Sequence, residues 1–138
     1  MTYVESSVIL RLALGEPGAL AEWPTVHKAI TSAITRVECL RTLENFRTGV
    51  EVSDLEFAER RSATLRLFET FEVIALEPII LARAASPMPT RLRTLDAVHL
   101  ATALVWQDVN GEQVVLATHD RTLGTAARAS GLEVIGLP

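Results

Sequence analysis

The 138 residues make one ordinary domain, 1–138, with 49% hydrophobic and 22% charged residues. A lone cysteine, Cys39, excludes an internal disulfide framework and a cysteine-based zinc cluster, and fits a reducing compartment. Thirteen basic against seventeen acidic residues leave a net charge of −4, which excludes a generally basic nucleic-acid coat, and no 18-residue apolar run offers a membrane span.

Residues 2–5 read as a short strand, and Ser6 or Ser7 then caps a helix through Leu14. Gly15, Pro17 and Gly18 interrupt the chain, and a second helix is predicted over 19–29. A short strand over 31–34 leads into a helix over 36–48, ending before Gly49. Ser53-Asp54-Leu55-Glu56 has the form of a capping box, which opens a helix reaching Phe68. Leu55, Ala58, Ser62 and Leu65 are expected on its inner face, with Glu56 and Arg60 paired on the other side. Residues 71–76 read as a third strand. Pro78 suits the first turn of a short helix over 78–85, which Pro87 and Pro89 end. Thr94 is expected to cap a strongly apolar helix to Gln107, followed by an Asn110-Gly111 turn. A fourth strand over 114–118, a helix over 120–130 stopped by Gly131, and a fifth strand over 133–136 complete the chain.

Short strands alternating with longer helices are the signature of βαβ units. With right-handed crossovers they predict an α/β fold, a three-layer sandwich around a central, mostly parallel, five-stranded sheet. The opening residues show neither a basic start nor an apolar core of a signal peptide, so a soluble, cytoplasmic domain is expected.

In an open parallel sheet, ligands bind beyond the carboxyl ends of the strands. Glu5 ends the first strand, Glu38 follows the second and Asp120 follows the fourth, all on that edge. Asp96 opens a helix that is otherwise almost wholly apolar, so its carboxylate needs a partner or a site. Each acid also has an ordinary use near a helix N-terminus. Thr35-x-x-Glu38 has capping-box spacing, and Asp120 suits an N-cap. Four carboxylates on one edge would repel one another unless a cation sat among them. Carboxylate and water oxygens favour hard divalent ions such as Mg²⁺ or Mn²⁺. Setting these four acids aside, the formal charge of −4 falls to zero, as it would for any four acids.

The stretches Tyr3–Leu10, Ser32–Glu38, Leu92–Ala103 and Ala117–Leu123 resemble the PIN-domain ribonucleases, most of all the VapC-type toxins of prokaryotic toxin–antitoxin pairs. The likeness covers essentially the whole chain, and Leu95-Asp96-Ala97-Val98-His99-Leu100-Ala101-Thr102-Ala103 is its most specific part. It implies a metal-dependent endoribonuclease with Glu5, Glu38, Asp96 and Asp120 as catalytic acids and metal ligands, and with Ser7 and Thr118 supporting them. It also implies an RNA substrate, a cognate antitoxin, a homodimer, and products carrying a 5′-phosphate and a 3′-hydroxyl. The departure is Glu5, where the family pattern has the shorter Asp. Mg²⁺ asks for near-ideal octahedral geometry, so one extra methylene bears directly on activity. The alternative reading is a PIN-fold module that binds RNA or protein through a weakened site.

Arg36 and Arg121, each near one of the acids, are the arginines expected to touch RNA. His99, three residues after Asp96, is read first as a core hydrogen-bonding residue, with proton shuttling or metal binding as the sharper option. His119 is read as weak evidence of anything beyond a loop. Trp23 and Trp106 are expected to pack rather than stack on bases, and Leu10, Leu12, Leu14, Leu20 and Trp23 either join the core or leave a groove where an antitoxin segment docks. A phosphoacceptor receiver domain needs an Asp ending its third strand and a Lys near its last. Here that strand ends Leu76-Glu77-Pro78, and the one lysine is Lys28. The glycine fingerprint of a dinucleotide or P-loop site is absent.

Overall fold

The computed structural model describes residues 1–49 and 51–137. The chain runs β1 (Thr2–Val4), α1 (Ser6–Leu14), β2 (Ala29–Ser32), α2 (Ala33–Gly49), α3 (Asp54–Phe68), β3 (Glu72–Ile74), α4 (Pro78–Ala85), α5 (Thr94–Asn110), β4 (Val115–Ala117), α6 (Arg121–Ala129) and β5 (Glu133–Ile135). The strands lie in the order β3-β2-β1-β4-β5, and every pair is parallel. Winding runs outward from β1 to β3, then returns across the sheet to β4 and β5. With right-handed crossovers this reversal puts α1, α2 and α3 on one face and α4, α5 and α6 on the other. The three-layer α/β architecture expected from the sequence is the one observed.

Strand side chains alternate between the two layers. Tyr3, Ile30 and Leu116 enter a core with Leu100, Leu104 and Trp106 of α5 and Leu123 of α6. Their neighbours Val4 and Ala117 enter a second core with Val8 and Ile9 of α1, Cys39 of α2 and Phe68 of α3. Burying an aliphatic or aromatic side chain of this size is worth about 1.5–3 kcal/mol. The α5 helix shows why it reads so apolar: Ala97 to Trp106 are buried without interruption.

The boundaries differ from the sequence reading in places with physical causes. No helix forms over 19–29. Gly18 takes φ +77°, and Pro24 sits in a single 3-10 turn, Trp23–Thr25, before β2 begins at Ala29. That places the second strand two residues earlier than expected and starts α2 at Ala33. Thr35 is therefore inside the helix and buried, so it caps nothing and the expected Thr35–Glu38 box does not form. Leu10, Leu12, Leu20 and Trp23 pack against the second core, Trp23 on Phe71 at 5.9 Å between ring centroids, while Leu20 also lines a surface cavity with Arg11 and Gly18.

In α3 the capping box is present as read, but the inner face is not. Leu55 is 68% exposed and Ala58 and Ser62 face solvent, while Thr64 and Phe68 are buried and Phe57 is half-buried. The larger aromatic area sets the helix's rotation. The Glu56 carboxylate accepts from the Ser53 backbone N–H at 3.3 Å, so the expected Arg60 pairing gives way to the cap. Thr94 is the first residue of α5 and Arg93 stands at its cap position with no side-chain bond, because the chain enters from an extended loop.

Candidate active site

Parallel pairing sets Val4 beside Ala117, so β1 and β4 end level and their following residues meet. This is also where the winding direction reverses, the crevice at which open α/β sheets bind ligands. Glu5 leaves β1 as the N-cap of α1, and Thr118, His119 and Asp120 leave β4 toward α6.

Glu5 is 6% exposed, and both carboxylate oxygens are engaged. Oε1 accepts from Ser6 Oγ at 2.5 Å and the Ser7 backbone N–H at 3.1 Å. Oε2 accepts from Ser7 Oγ at 2.5 Å and Thr118 Oγ1 at 3.0 Å. The same two hydroxyls accept in turn: Ser7 Oγ from the His119 N–H and Thr118 Oγ1 from the Asp120 N–H, each at 3.0 Å. A carboxylate offers about four acceptor positions, and here the protein fills four. The structure therefore brings Ser7 and Thr118 directly onto Glu5, and Glu5 organises the loop that carries Asp120.

Asp120 is exposed and caps α6, its Oδ1 accepting from the Leu123 N–H at 3.0 Å. Asp96 is half-buried in the first turn of α5. Burial raises its pKa first of all, then the negative charge of Asp120, with smaller contributions from Glu5 and Glu38 and an opposing one from His99. Asp120, Glu5 and Glu38 therefore all act electrostatically on Asp96. Asp96 and Asp120 line one cleft of about 560 Å³ together with Arg91, Leu92, Arg93 and Thr122.

Glu38 lies in the second turn of α2, about 20% exposed, and its Oε1 accepts from His99 Nε2 at 2.5 Å. His99 is 1% exposed, and its Nδ1 meets the Tyr3 hydroxyl at 2.7 Å. His119 donates Nδ1–H to the Gly136 carbonyl at 2.7 Å, which leaves Nε2 buried without a partner among the described residues. Burial also pushes the Cys39 thiol up, so this cysteine is an inert packing group.

Among the described residues no three acid, histidine or cysteine side chains stand close enough to enclose one ion. A hard cation such as Mg²⁺ does not need such a cage. It is usually held by one or two carboxylates, waters and substrate phosphates. Asp96 and Asp120, which line one open cleft, suit that kind of site; Glu5, saturated by its own chain, suits it least.

Of the two arginines singled out from the sequence, Arg36 is exposed on α2, and Arg121 lines a neighbouring cavity of about 580 Å³ with Arg11 and His119. The arginines in the acid cleft are Arg91 and Arg93, on the loop entering α5. Their signal in the sequence was proximity: both lie within five residues of Asp96 on the N-terminal side of the same helix.

The PIN domain family model matches residues 2–131. The chain is 34% identical over 137 residues to Ribonuclease VapC46 of Mycobacterium tuberculosis, covering 96% of this chain and 95% of that one. It is 34% identical over 140 residues to Ribonuclease VapC35 of the same species, covering 98% and 96%. Among solved structures, FitAB bound to an IR36 DNA fragment matches with a TM-score of 0.72 at 14% identity, over 98% of this chain and 94% of that one. VapBC2 from Rickettsia felis, bound to a DNA fragment from their promoter, matches with a TM-score of 0.69 at 11% identity, over 97% of each chain. With its sheet order, its acids at the switch point and this full-length similarity, the chain belongs to the PIN domain family.

Proposed function

We propose that the protein is an RNA-hydrolysing enzyme, an endoribonuclease that depends on Mg²⁺ or Mn²⁺ and acts as the toxin of a toxin–antitoxin pair. The observation that carries this reading is the cleft lined by Asp96, Asp120, Arg91 and Arg93, with the charge of Glu38 felt at Asp96. The similarity to chains named Ribonuclease VapC supports RNA as the substrate. The VapBC2 match supports an antitoxin as the protein partner, and by family likeness the toxin works as a homodimer.

Asp96, Asp120 and Glu38 would hold the cation. When bound, the metal supplies a more acidic water and offsets negative charge gathering on the phosphate. Arg91 and Arg93 grip phosphate oxygens by their planar forks and fix the strand across the cleft. A carboxylate of the cluster orients the attacking water and takes its proton. Water adds across the P–O3′ bond, and a 5′-phosphate and a 3′-hydroxyl result. Ser7 and Thr118 act through Glu5, which holds the Asp120 loop in register. Arg36 and Arg121 serve as outlying contacts for RNA that extends beyond the cleft.

One observation favours a second reading. Glu5 gives all its acceptor positions to the protein, so a site that needed it as a ligand would be weakened, and the chain would then bind RNA or protein without cutting.

The test is cleavage of total RNA by the purified protein, freed of any partner, in Mg²⁺, Mn²⁺ or EDTA. Cleavage is expected with either ion, none in EDTA, and a loss of at least 100-fold in Asp96→Asn and in Asp120→Asn. Inert wild type beside an active Glu5→Asp would establish the second reading. Cleavage that persists in EDTA would overturn the metal-dependent one.

A further inference from the structure

The four site acids leave one polar chain unexplained. Tyr3 of β1 is fully buried, its ring edge-on to His99 of α5 with centroids 6.0 Å apart. Its hydroxyl lies 2.7 Å from His99 Nδ1, and His99 Nε2 lies 2.5 Å from Glu38 Oε1. The chain runs from the central strand through one helical layer to a carboxylate on the other. Residues 61 and 96 positions apart in sequence are joined by it.

With His99 neutral, the inventory of each group gives one arrangement of protons on this chain. A carboxylate only accepts, so Nε2 carries its hydrogen toward Glu38. A neutral imidazole protonated at Nε2 has a lone pair at Nδ1. A phenol keeps its proton near neutral pH and can donate it there. Tyr3 O–H to Nδ1, then Nε2–H to Oε1, uses each donor and acceptor once. The result pins Oε1 of Glu38, a carboxylate that is about 20% exposed. Partners of this kind orient metal-binding carboxylates and histidines, and their loss typically costs 10–100-fold in metal affinity.

We propose that Tyr3 and His99 are positioning residues: together they set the rotamer of Glu38 so that its free oxygen faces the cation held by the acid cluster. This rests on the metal-dependent reading above. A plain core hydrogen bond would explain the His99–Tyr3 contact alone, but not why the second nitrogen meets a site acid at a half-open position.

The experiment is Mn²⁺ titration by calorimetry on the intact protein, with thermal melts in EDTA to certify folding. His99→Leu and Tyr3→Phe are each expected to weaken Mn²⁺ binding by about 10–100-fold. His99→Gln, whose amide can stand where Nε2 stood, should restore most of the affinity. On a Glu38→Gln background Tyr3→Phe should have no further effect, because the two act through one group. Folded His99→Leu that binds Mn²⁺ as wild type does would overturn the proposal, as would additive effects of Tyr3→Phe and Glu38→Gln. The His99 tautomer, read by ¹⁵N NMR without metal, separates the two failures. If wild type takes up no Mn²⁺, the metal reading falls; if His99 carries no proton on Nε2, the positioning proposal falls whatever the metal does.

Discussion

Glu5 and Asp96 are both acids at helix starts, yet they stand in opposite relation to stability. Glu5 anchors the fold, since its carboxylate accepts four hydrogen bonds in a nearly sealed position. Removing it leaves the Ser6, Ser7 and Thr118 hydroxyls unsatisfied and strips α1 of its cap. Glu5→Ala should therefore destabilise the protein by about 2–3 kcal/mol, combining the usual cost of a lost cap with that of orphaned buried donors. Asp96 does the reverse. The start of α5 favours a negative charge, worth roughly 0.3–1 kcal/mol, but burial and the neighbouring carboxylates outweigh it and raise its pKa above the ordinary 3.8. Because the folded state binds this proton more tightly than the unfolded one, stability falls as pH rises from 3.8 through the raised pKa and levels off above it. Asp96→Asn, melted in EDTA, should thus be more stable than wild type at pH 7. The gain is a few tenths of a kcal/mol, since solvent screens a half-buried group, and it should vanish below pH 3.8. An equal gain at both pH values would mean that packing, not charge, is being relieved.

At the scale of elements, the loop after β4 is tied to the ends of β5 and β1. The Thr118 N–H donates to the Ile135 carbonyl, His119 Nδ1–H to the Gly136 carbonyl, and Thr118 Oγ1 to Glu5. Gly136 permits this with φ +88°, and a Cβ there would lie 2.8 Å from the Thr118 carbonyl oxygen, which is backbone and has no room to yield. Gly136→Ala should cost about 1–3 kcal/mol and displace Asp120, lowering cleavage along with the melting temperature. An active, fully stable variant would show that the loop tolerates the shift. The element pattern was legible wherever local chemistry decides it. Pro78 and the following prolines delimit α4 at the residues read from the sequence, and the long apolar run of α5 is buried as expected. It was illegible where tertiary contacts decide. Residues 19–23 carry helix formers, yet Gly18, Pro24 and the packing of Trp23 on Phe71 bend the segment into an irregular loop. The acids at strand ends were visible for the same local reason. The Tyr3–His99–Glu38 chain was not, because nothing in sequence spacing joins strand β1 to two helices.

The whole molecule is acidic, at −4, while RNA is a polyanion, so approach has to be steered by local rather than net charge. Twelve of its thirteen basic residues are arginines, and four of them, Arg11, Arg91, Arg93 and Arg121, line the two cavities at the carboxyl edge of the sheet. There they stand beside the carboxylates that would otherwise repel a phosphate backbone. Binding built on such a patch must weaken steeply with salt, because each neutralised phosphate releases condensed counterions. Fluorescence anisotropy with single-stranded RNA and the cleavage-deficient Asp96→Asn protein measures this directly. Adding Arg91→Ala or Arg93→Ala should weaken binding across unrelated sequences and flatten the slope of log affinity against log salt by about 0.7 for each phosphate no longer neutralised. Arg66→Ala, on the exposed side of α3, should leave the slope unchanged. A cleft variant that keeps the wild-type slope would remove Arg91 and Arg93 from the RNA path and move the binding surface to the neighbouring cavity, where Arg11→Ala and Arg121→Ala should then produce the weakening.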